Sequence, residues 1–217
     1  MAAPQFNMVT TFIWWVIFLP IRVTAVVVAG YITLLLYYIS KIETLGGREA
    51  SILYLRQNVI LPELKNEMPK VLSPAQYDYA YNHLVTYITD ILSETVDTVF
   101  VTFGVDPSIL QLATLVAMSA SFRLSASLFI YATAALLFVS GLVYGRYKFH
   151  LEWKKSKVVE VSSTKFAIGW QSKVVLPMLL FVYMASPVPL YQAYAITLSL
   201  WSAFVGYTLS RSFTDHL

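Results

Sequence analysis

The run from Arg146 to Phe166, RYKFHLEWKKSKVVEVSSTKF, holds the side chains best suited to binding an anion. Lysines next to aromatic rings are typical of nucleic-acid-binding surfaces, where charge follows the backbone and rings stack on bases. Beside a membrane, the same lysines attract anionic lipids by about 1 kcal/mol each. Charge alone ranks lipid first, a partner protein second and DNA last. The candidate contact residues are Arg146, Lys148, Trp153, Lys154, Lys155 and Lys157.

Three acidic residues form a second candidate site, on a predicted amphipathic helix that starts at Thr89. Apolar residues fall on one face of this helix, and Asp90, Glu94 and Asp97 fall on the opposite face. Such a stripe is most often a solvated face. We interpret it as a candidate contact for a partner outside the cytoplasm, with a membrane-bound enzyme as the alternative.

Motifs for the common catalytic and nucleotide-binding sites are absent. The sequence has no P-loop, dinucleotide-binding, zinc-protease or nucleophile-elbow pattern. It has no cysteine, and His83 has no second histidine at helical spacing, so we predict no metal site. We expect no enzymatic activity and no cofactor.

Apolar segments must hold these residues in a membrane. Hydrophobic residues make up 58% of the 217 and charged residues 12%, against roughly a quarter charged in soluble domains. The mean hydropathy is +0.64. Because a span needs about 20 apolar residues, we predict four transmembrane helices. They cover residues 23–40, 124–145, 173–186 and 190–210, with a proline turn at 187–189.

The remaining segments complete a predicted all-α polytopic membrane protein. Residues 1–22 form an N-terminal interfacial segment, and residues 41–123 form a mainly helical extracytoplasmic region. A basic cytoplasmic loop covers 146–172, and a cytoplasmic tail covers 211–217. Small residues recur along 124–145, which either allows close helix packing or is mere composition.

Three local patterns divide the extracytoplasmic region. A helical apolar pattern begins near Ile52 and stops at Pro62, because proline interrupts a helix. Ser73 and Gln76 form a capping-box signature for the next helix, which reaches about Ile88. Asp106-Pro107 starts another helix, which leads into the second span. The tyrosines between Ser73 and Ile88 are interpreted as anchors at the membrane interface.

Charge asymmetry sets the orientation. Residues 41–106 carry five Lys/Arg and nine Asp/Glu, a net of −4, whereas residues 146–173 carry seven Lys/Arg and two Glu, a net of +5. Lys and Arg in short loops mark the cytoplasmic side. We therefore predict a bacterial inner-membrane protein with both termini in the cytoplasm.

The C-terminal half resembles a family of four-span inner-membrane proteins encoded by integrating conjugative elements and conjugative plasmids. The resemblance rests on GLVYGRYKF (141–149), VEVSSTKFAIGWQSKVV, the SPVP turn (186–189) and a last span ending at Arg211. Within it, Glu160 loosely matches a family glutamate-serine pair but is not adjacent to a serine, and Ser140 stands where the family pattern has an acidic residue. The resemblance covers about Leu124 to Leu217, and the first half agrees in topology only.

The resemblance implies a non-catalytic inner-membrane subunit of a conjugative DNA-transfer (type IV secretion) apparatus. The implied partners are other membrane components, with the coupling ATPase as a candidate, in a hetero-oligomer surrounded by membrane lipids. Direct nucleic-acid contact is disfavoured. A small transporter or channel subunit is the alternative from another class, although the predicted spans offer only Ser and Thr as path-lining groups.

Overall fold

All regular structure in the described part of the chain is helical, which confirms the predicted all-α class. This computed structural model describes residues 19–87, 89–91, 94, 98, 102, 104, 106–156 and 164–212. Six α-helices occur in those ranges: α1 (Leu19–Ser40), α2 (Arg48–Leu55), α3 (Pro74–Tyr79), α4 (Pro107–Ser156), α5 (Thr164–Ala185) and α6 (Tyr191–Ser212).

Helix α1 is one of two helices in the described ranges that are long and apolar enough to cross a membrane. The most apolar 18-residue window within Ile21–Ser40 has a mean hydropathy of 1.9. Residues 19–22 are already helical, so α1 extends across the predicted boundary between residues 22 and 23. Residues 1–18 of the predicted interfacial segment lie outside the described residues.

Two adjacent glycines turn the chain from α1 into α2. Gly46 and Gly47 have φ angles of 91° and 106°, which L side chains rarely adopt. The Gly47 N–H donates to the carbonyl of Ile42 at 2.8 Å, so the turn provides a hydrogen-bond donor for a carbonyl just beyond the end of α1. The Gly47 carbonyl accepts a hydrogen bond from the backbone N–H of Ser51, and this is the first hydrogen bond of α2.

The helical path of α2 does not stop at Pro62, contrary to the prediction. After α2 the chain continues through two π-helical turns, Arg56–Ile60 and Glu63–Glu67, and a 3₁₀ turn, Met68–Lys70. Proline has no N–H to donate, and its ring clashes with the preceding carbonyl. A widened π turn accommodates such a break without ending the helix. This path carries Glu63 to the side of α4.

The capping box predicted at Ser73 is confirmed. The Gln76 N–H donates to Ser73 Oγ at 3.4 Å, and the Ser73 N–H donates to Gln76 Oε1 at 2.9 Å. Helix α3 continues as a π-helical turn, Ala80–Val85, and stays helical to residue 87. We call residues 74–87 the tyrosine helix, because they include Tyr77, Tyr79, Tyr81 and Tyr87.

Helix α4 is 50 residues long, equivalent to about 75 Å. The most apolar 18-residue window within Pro107–Glu152 has a mean hydropathy of 2.0, so α4 is the second helix in the described ranges that is able to cross a membrane. As predicted, Asp106 caps its start: the Ser108 N–H donates to Asp106 Oδ1 at 2.9 Å. No proline follows until Pro177, so nothing separates the predicted helix before residue 122 from the predicted span at 124–145.

The segment predicted as a basic loop is helical at both ends. Helix α4 runs on to Ser156, and α5 begins at Thr164, so residues 146–156 and 164–172 belong to helices. Lysine has a high helix propensity. The prediction of a loop used only the charge of this segment and did not take that propensity into account. Residues 157–163 lie outside the described ranges.

Helices α5 and α6 form the predicted hairpin. Helix α5 ends at Ala185, and the turn at 186–190 contains both prolines. The Val188 N–H donates to Ser186 Oγ at 3.2 Å, which stabilises the turn. Within α5 the uninterrupted apolar stretch, Val174–Ala185, is shorter than a membrane span.

Helices α4 and α6 lie parallel and pack backbone to backbone. A Cβ at Gly141 would lie 2.2 Å from the Ala203 carbonyl oxygen, and one at Gly206 would lie 2.2 Å from the Phe138 carbonyl oxygen. At Gly145 it would lie 2.6 Å from the Tyr207 carbonyl oxygen. These three glycines therefore let the helices approach more closely than any side chain permits.

Candidate functional site

A buried ion pair joins Glu63 and Arg123, and both side chains are 0% exposed. Arg123 Nε donates to Glu63 Oε1 at 2.9 Å, and Nη2 donates to the same oxygen. The Ser119 hydroxyl donates to Oε2 at 2.6 Å. Both carboxylate oxygens therefore have donors, the condition under which a buried charge is tolerated. We call this the Glu63–Arg123 pair.

Two helical segments distant in sequence bring the pair together. Glu63 lies on the π turn that follows Pro62, and Arg123 lies about a third of the way along α4. Ser119 and Arg123 are four residues apart, so they share one face of α4 and reach the same carboxylate. The widened turn after Pro62 is what gives Glu63 its position.

Arg123 also caps the end of α5. Its Nη1 donates to the carbonyls of Tyr183 and Met184, each at 3.1 Å, and to that of Ser186. The last carbonyls of a helix have no intrahelical partner and carry partial negative charge. One guanidinium thus binds the π turn, α4 and the α5–α6 turn together.

Burial and pairing act in opposite directions on the Glu63 carboxyl. Removal from water raises its pKa, and the Arg123 charge and the Ser119 hydroxyl oppose that rise. Because the guanidinium donates twice to one carboxylate oxygen, we assign the charged form to Glu63.

Tyrosines surround the pair. Tyr183 stacks on Tyr194, with ring centroids 4.2 Å apart, and meets the edge of Tyr191 at 5.5 Å. The Tyr183 hydroxyl donates to the Arg123 carbonyl at 3.3 Å, and the Tyr194 hydroxyl donates to the Tyr131 hydroxyl at 2.9 Å. These aromatic contacts link α5 to α6 and to α4 beside the Glu63–Arg123 pair.

The pair is built for structure rather than proton transfer. Every nitrogen of the guanidinium and both carboxylate oxygens are engaged by the chain itself. General acid–base chemistry needs a group that can reach a substrate proton. The arrangement can hold three segments in register, and we assign it that role.

A second ion pair, Arg48–Asp106, is exposed and ties the start of α2 to the start of α4. Asp106 also accepts hydrogen bonds from the Ser108 hydroxyl and backbone N–H. These Ser108 bonds, with Arg48, lower the Asp106 pKa to about 2 from 3.8.

The depressed pKa of Asp106 predicts acid-sensitive stability. A carboxylate whose pKa is lower in the folded state stabilises the fold above its unfolded pKa, and loses that effect as pH falls towards its folded pKa. The Tm of the detergent-solubilised protein should therefore fall more steeply between about pH 4 and pH 2 than that of Asp106→Asn, which keeps a capping side chain. Parallel Tm-against-pH curves for the two proteins would contradict the prediction.

The predicted basic contact residues lie on the last turns of α4. Arg146 and Lys148 are half-buried, and Lys148 Nζ lies 5.8 Å from the centre of the Tyr207 ring on α6. Lys148 therefore makes an intramolecular cation–π contact. Trp153, Lys154 and Lys155 follow on the same helix, where only the backbone is described, and Lys157 lies outside the described residues.

The predicted acidic contact residues are at least 26 residues in sequence from either member of the Glu63–Arg123 pair. Asp90 and Glu94 are helical and exposed, and Asp97 lies outside the described residues. Within the described part of the chain, no group of three or more His, Asp or Glu residues could hold a metal ion.

Sequence reasoning placed Arg123 at a span boundary and missed its partner. A usable signal was present: Arg123 is the only charged residue between Asp106 and Arg146, so a long apolar helix carries a single charge that needs a counter-ion. Nothing local identifies Glu63 among the acidic residues of 41–106 as that counter-ion.

Comparison of the chain with protein-family models, with curated proteins and with solved structures gave no match.

Proposed function

We propose that the chain is a non-catalytic subunit of a bacterial inner-membrane complex, a helical adaptor that binds other membrane components. The observation that carries the proposal is the outward-facing apolar surface of α1 and α4. Only 22% of the apolar window of each helix is buried. The core helix of a water-soluble domain buries most of its apolar residues, whereas lipid solvates an apolar exterior without penalty.

Four crossings are part of the proposal. Helix α6 has 22 residues, or about 33 Å, which matches a hydrocarbon core of about 30 Å. In α5, residues 166–170 would extend the shorter apolar stretch, Val174–Ala185, at the inner interface. The excess of Lys and Arg in 146–173 supports a cytoplasmic position for that segment and for both termini. The turn at 186–190 and the Glu63–Arg123 pair would then lie at the opposite face.

The basic end of α4 supports partner binding in the cytoplasm. Residues 146–156 continue the helix by about 16 Å, so their charges sit on a rigid extension. A preordered helix loses less entropy on binding than a loop would. The resemblance to proteins of conjugative elements supplies the setting, a DNA-transfer apparatus with its coupling ATPase as candidate partner.

The polar interior does not favour a transporter or an enzyme. Ion-coupled transport needs an ionisable group that can exchange its partner during the cycle. The Glu63–Arg123 pair is instead satisfied by internal partners. The adaptor therefore remains the function that the described residues support best.

Purification in a gentle detergent tests the adaptor function. We expect stoichiometric copurification of at least one other membrane protein, and loss of that partner on replacing Lys154, Lys155 and Lys157 together by Ala. The reason is that a cytoplasmic contact built on charge depends on these lysines.

A charge-matched variant is the control for this experiment. Replacing Lys41, Arg56 and Lys65 together by Ala removes the same charge from exposed positions on the other predicted side. That variant should keep the partner. Two results together would overturn the proposal. The wild-type protein would purify without a partner, and deletion of its gene would leave conjugative transfer unchanged.

A further inference from the structure

The tyrosine helix (74–87) packs against the membrane-crossing part of α4 rather than beyond its end. Ala80 and Val85 are buried in the same apolar cluster as Ala126 and Ile130 of α4. The Tyr79 ring lies edge-on to Phe129, with centroids 6.4 Å apart. A segment predicted to belong to the extracytoplasmic region therefore lies beside a predicted span.

Arg123 marks the level at which the α5–α6 hairpin ends. It donates to the Ser186 carbonyl in the α5–α6 turn, so α4, α5 and the turn meet there. Ala126, Phe129 and Ile130 lie three, six and seven residues farther along α4, which corresponds to about 5–10 Å. The tyrosine helix thus lies below the end of the α5–α6 hairpin by the depth at which interfacial helices sit in one leaflet.

Its outward surface has the chemistry of a membrane interface. Tyr79 and Tyr87 are 54% and 66% exposed, and Tyr81 is also exposed. Tyrosine rings are apolar while their hydroxyls need water or headgroup oxygens, so they concentrate at the boundary between headgroups and acyl chains. Leu128, next to Phe129, is exposed and is the first residue of the exposed apolar surface of α4, which extends to Val143.

We propose that the tyrosine helix is a lipid-binding element that lies in the outer leaflet of the inner membrane, with Tyr79 and Tyr87 at headgroup depth. The occupant is phospholipid, because the tyrosine surface is continuous with the apolar exterior of α4. The inference rests on the proposed membrane insertion of α4. It extends the interpretation of the tyrosines as interface anchors by placing the whole of residues 74–87 in the outer leaflet beside α4.

Site-directed spin labelling tests the proposal directly, since the chain has no cysteine to remove. Single cysteines replace Tyr79, Tyr81 or Tyr87, and each labelled protein is reconstituted in vesicles of phosphatidylethanolamine and phosphatidylglycerol. Collision rates with oxygen, which partitions into lipid, and with a nickel chelate, which stays in water, report depth. We expect the oxygen-to-nickel ratio at Tyr79 and Tyr87 to lie between those of two reference sites. Arg56→Cys is the aqueous reference, and Leu136→Cys, 71% exposed on α4, is the lipid reference.

The reference sites separate failure of the inference from failure of the proposed function. A lipid signal at Leu136 with an aqueous signal at all three tyrosine positions would overturn the inference and leave membrane insertion standing. Low access to both reagents at the tyrosine positions would mean protein cover and would also overturn it. An aqueous signal at Leu136 would overturn membrane insertion itself. Tyr87 is the decisive position, because its exposure makes a folding defect on replacement least expected.

Discussion

Replacing Arg123 by Met should lower the free energy of unfolding by about 3–5 kcal/mol, the cost of leaving a buried charge without its partner. The change strands the Glu63 carboxylate, which is 0% exposed, and removes the donor that caps the last carbonyls of α5. Unfolding in mixed micelles with increasing SDS, followed by circular dichroism, measures the effect. Arg56→Met, an exposed arginine on the π turn before Pro62, is the matched control and should change stability little.

A double-mutant cycle separates the ion pair from the cap. Glu63→Leu combined with Arg123→Met removes both charges, so the double variant should be more stable than the sum of the two single effects predicts. Its stability should still fall short of wild type, because the α5 carbonyls stay unpaired. Additive single effects would show that the two side chains do not interact in the folded protein, and would contradict the structural role assigned to the pair.

Features set by neighbouring residues were predictable from the sequence. The capping box at Ser73, the cap at Asp106 and the SPVP turn each depend on side chains within three or four residues of one another. Their signatures are therefore written in the local sequence. The all-α class follows in the same way from long apolar runs without strand periodicity.

Features that depend on distant contacts were not predictable. Glu63 and Arg123 are 60 residues apart, and the charge pattern alone does not pair them. The tyrosine helix was predicted from its cap, but its place beside Phe129 depends on a long-range contact. Pro62 misled for a related reason, since tertiary packing stabilises the π turn that follows it.

The basic segment shows how one pattern can predict position but not conformation. Its excess of Lys and Arg supports a cytoplasmic side, and that inference needs only charge. Whether the segment is loop or helix depends on propensity and on packing against α6, where Lys148 meets Tyr207. Of the candidate contact residues, Lys148 already has an intramolecular partner.

Replacing Gly206 by Leu should destabilise the helix bundle by more than the about 1–3 kcal/mol typical of an overpacked core. The new Cβ would lie 2.2 Å from the Phe138 carbonyl oxygen and 3.1 Å from the Leu142 nitrogen. Because both obstacles are backbone atoms of α4, no rotamer change relieves the clash, and α6 must move away. The same SDS titration measures the loss, with Ala193→Leu, an exposed position on α6, as the control for added bulk.

Labelling of a buried cysteine distinguishes separation of the helices from a general loss of stability. Ser210, at the predicted cytoplasmic end of α6, is 8% exposed and packs on Gly145 of α4, so Ser210→Cys in an otherwise wild-type background should resist maleimide under native conditions. In combination with Gly206→Leu, the same cysteine should react, whereas in combination with Ala193→Leu it should stay protected. Protection in all three proteins would show that α4 and α6 tolerate a side chain at residue 206. Close approach through Gly141, Gly145 and Gly206 would then not be what holds the two helices together.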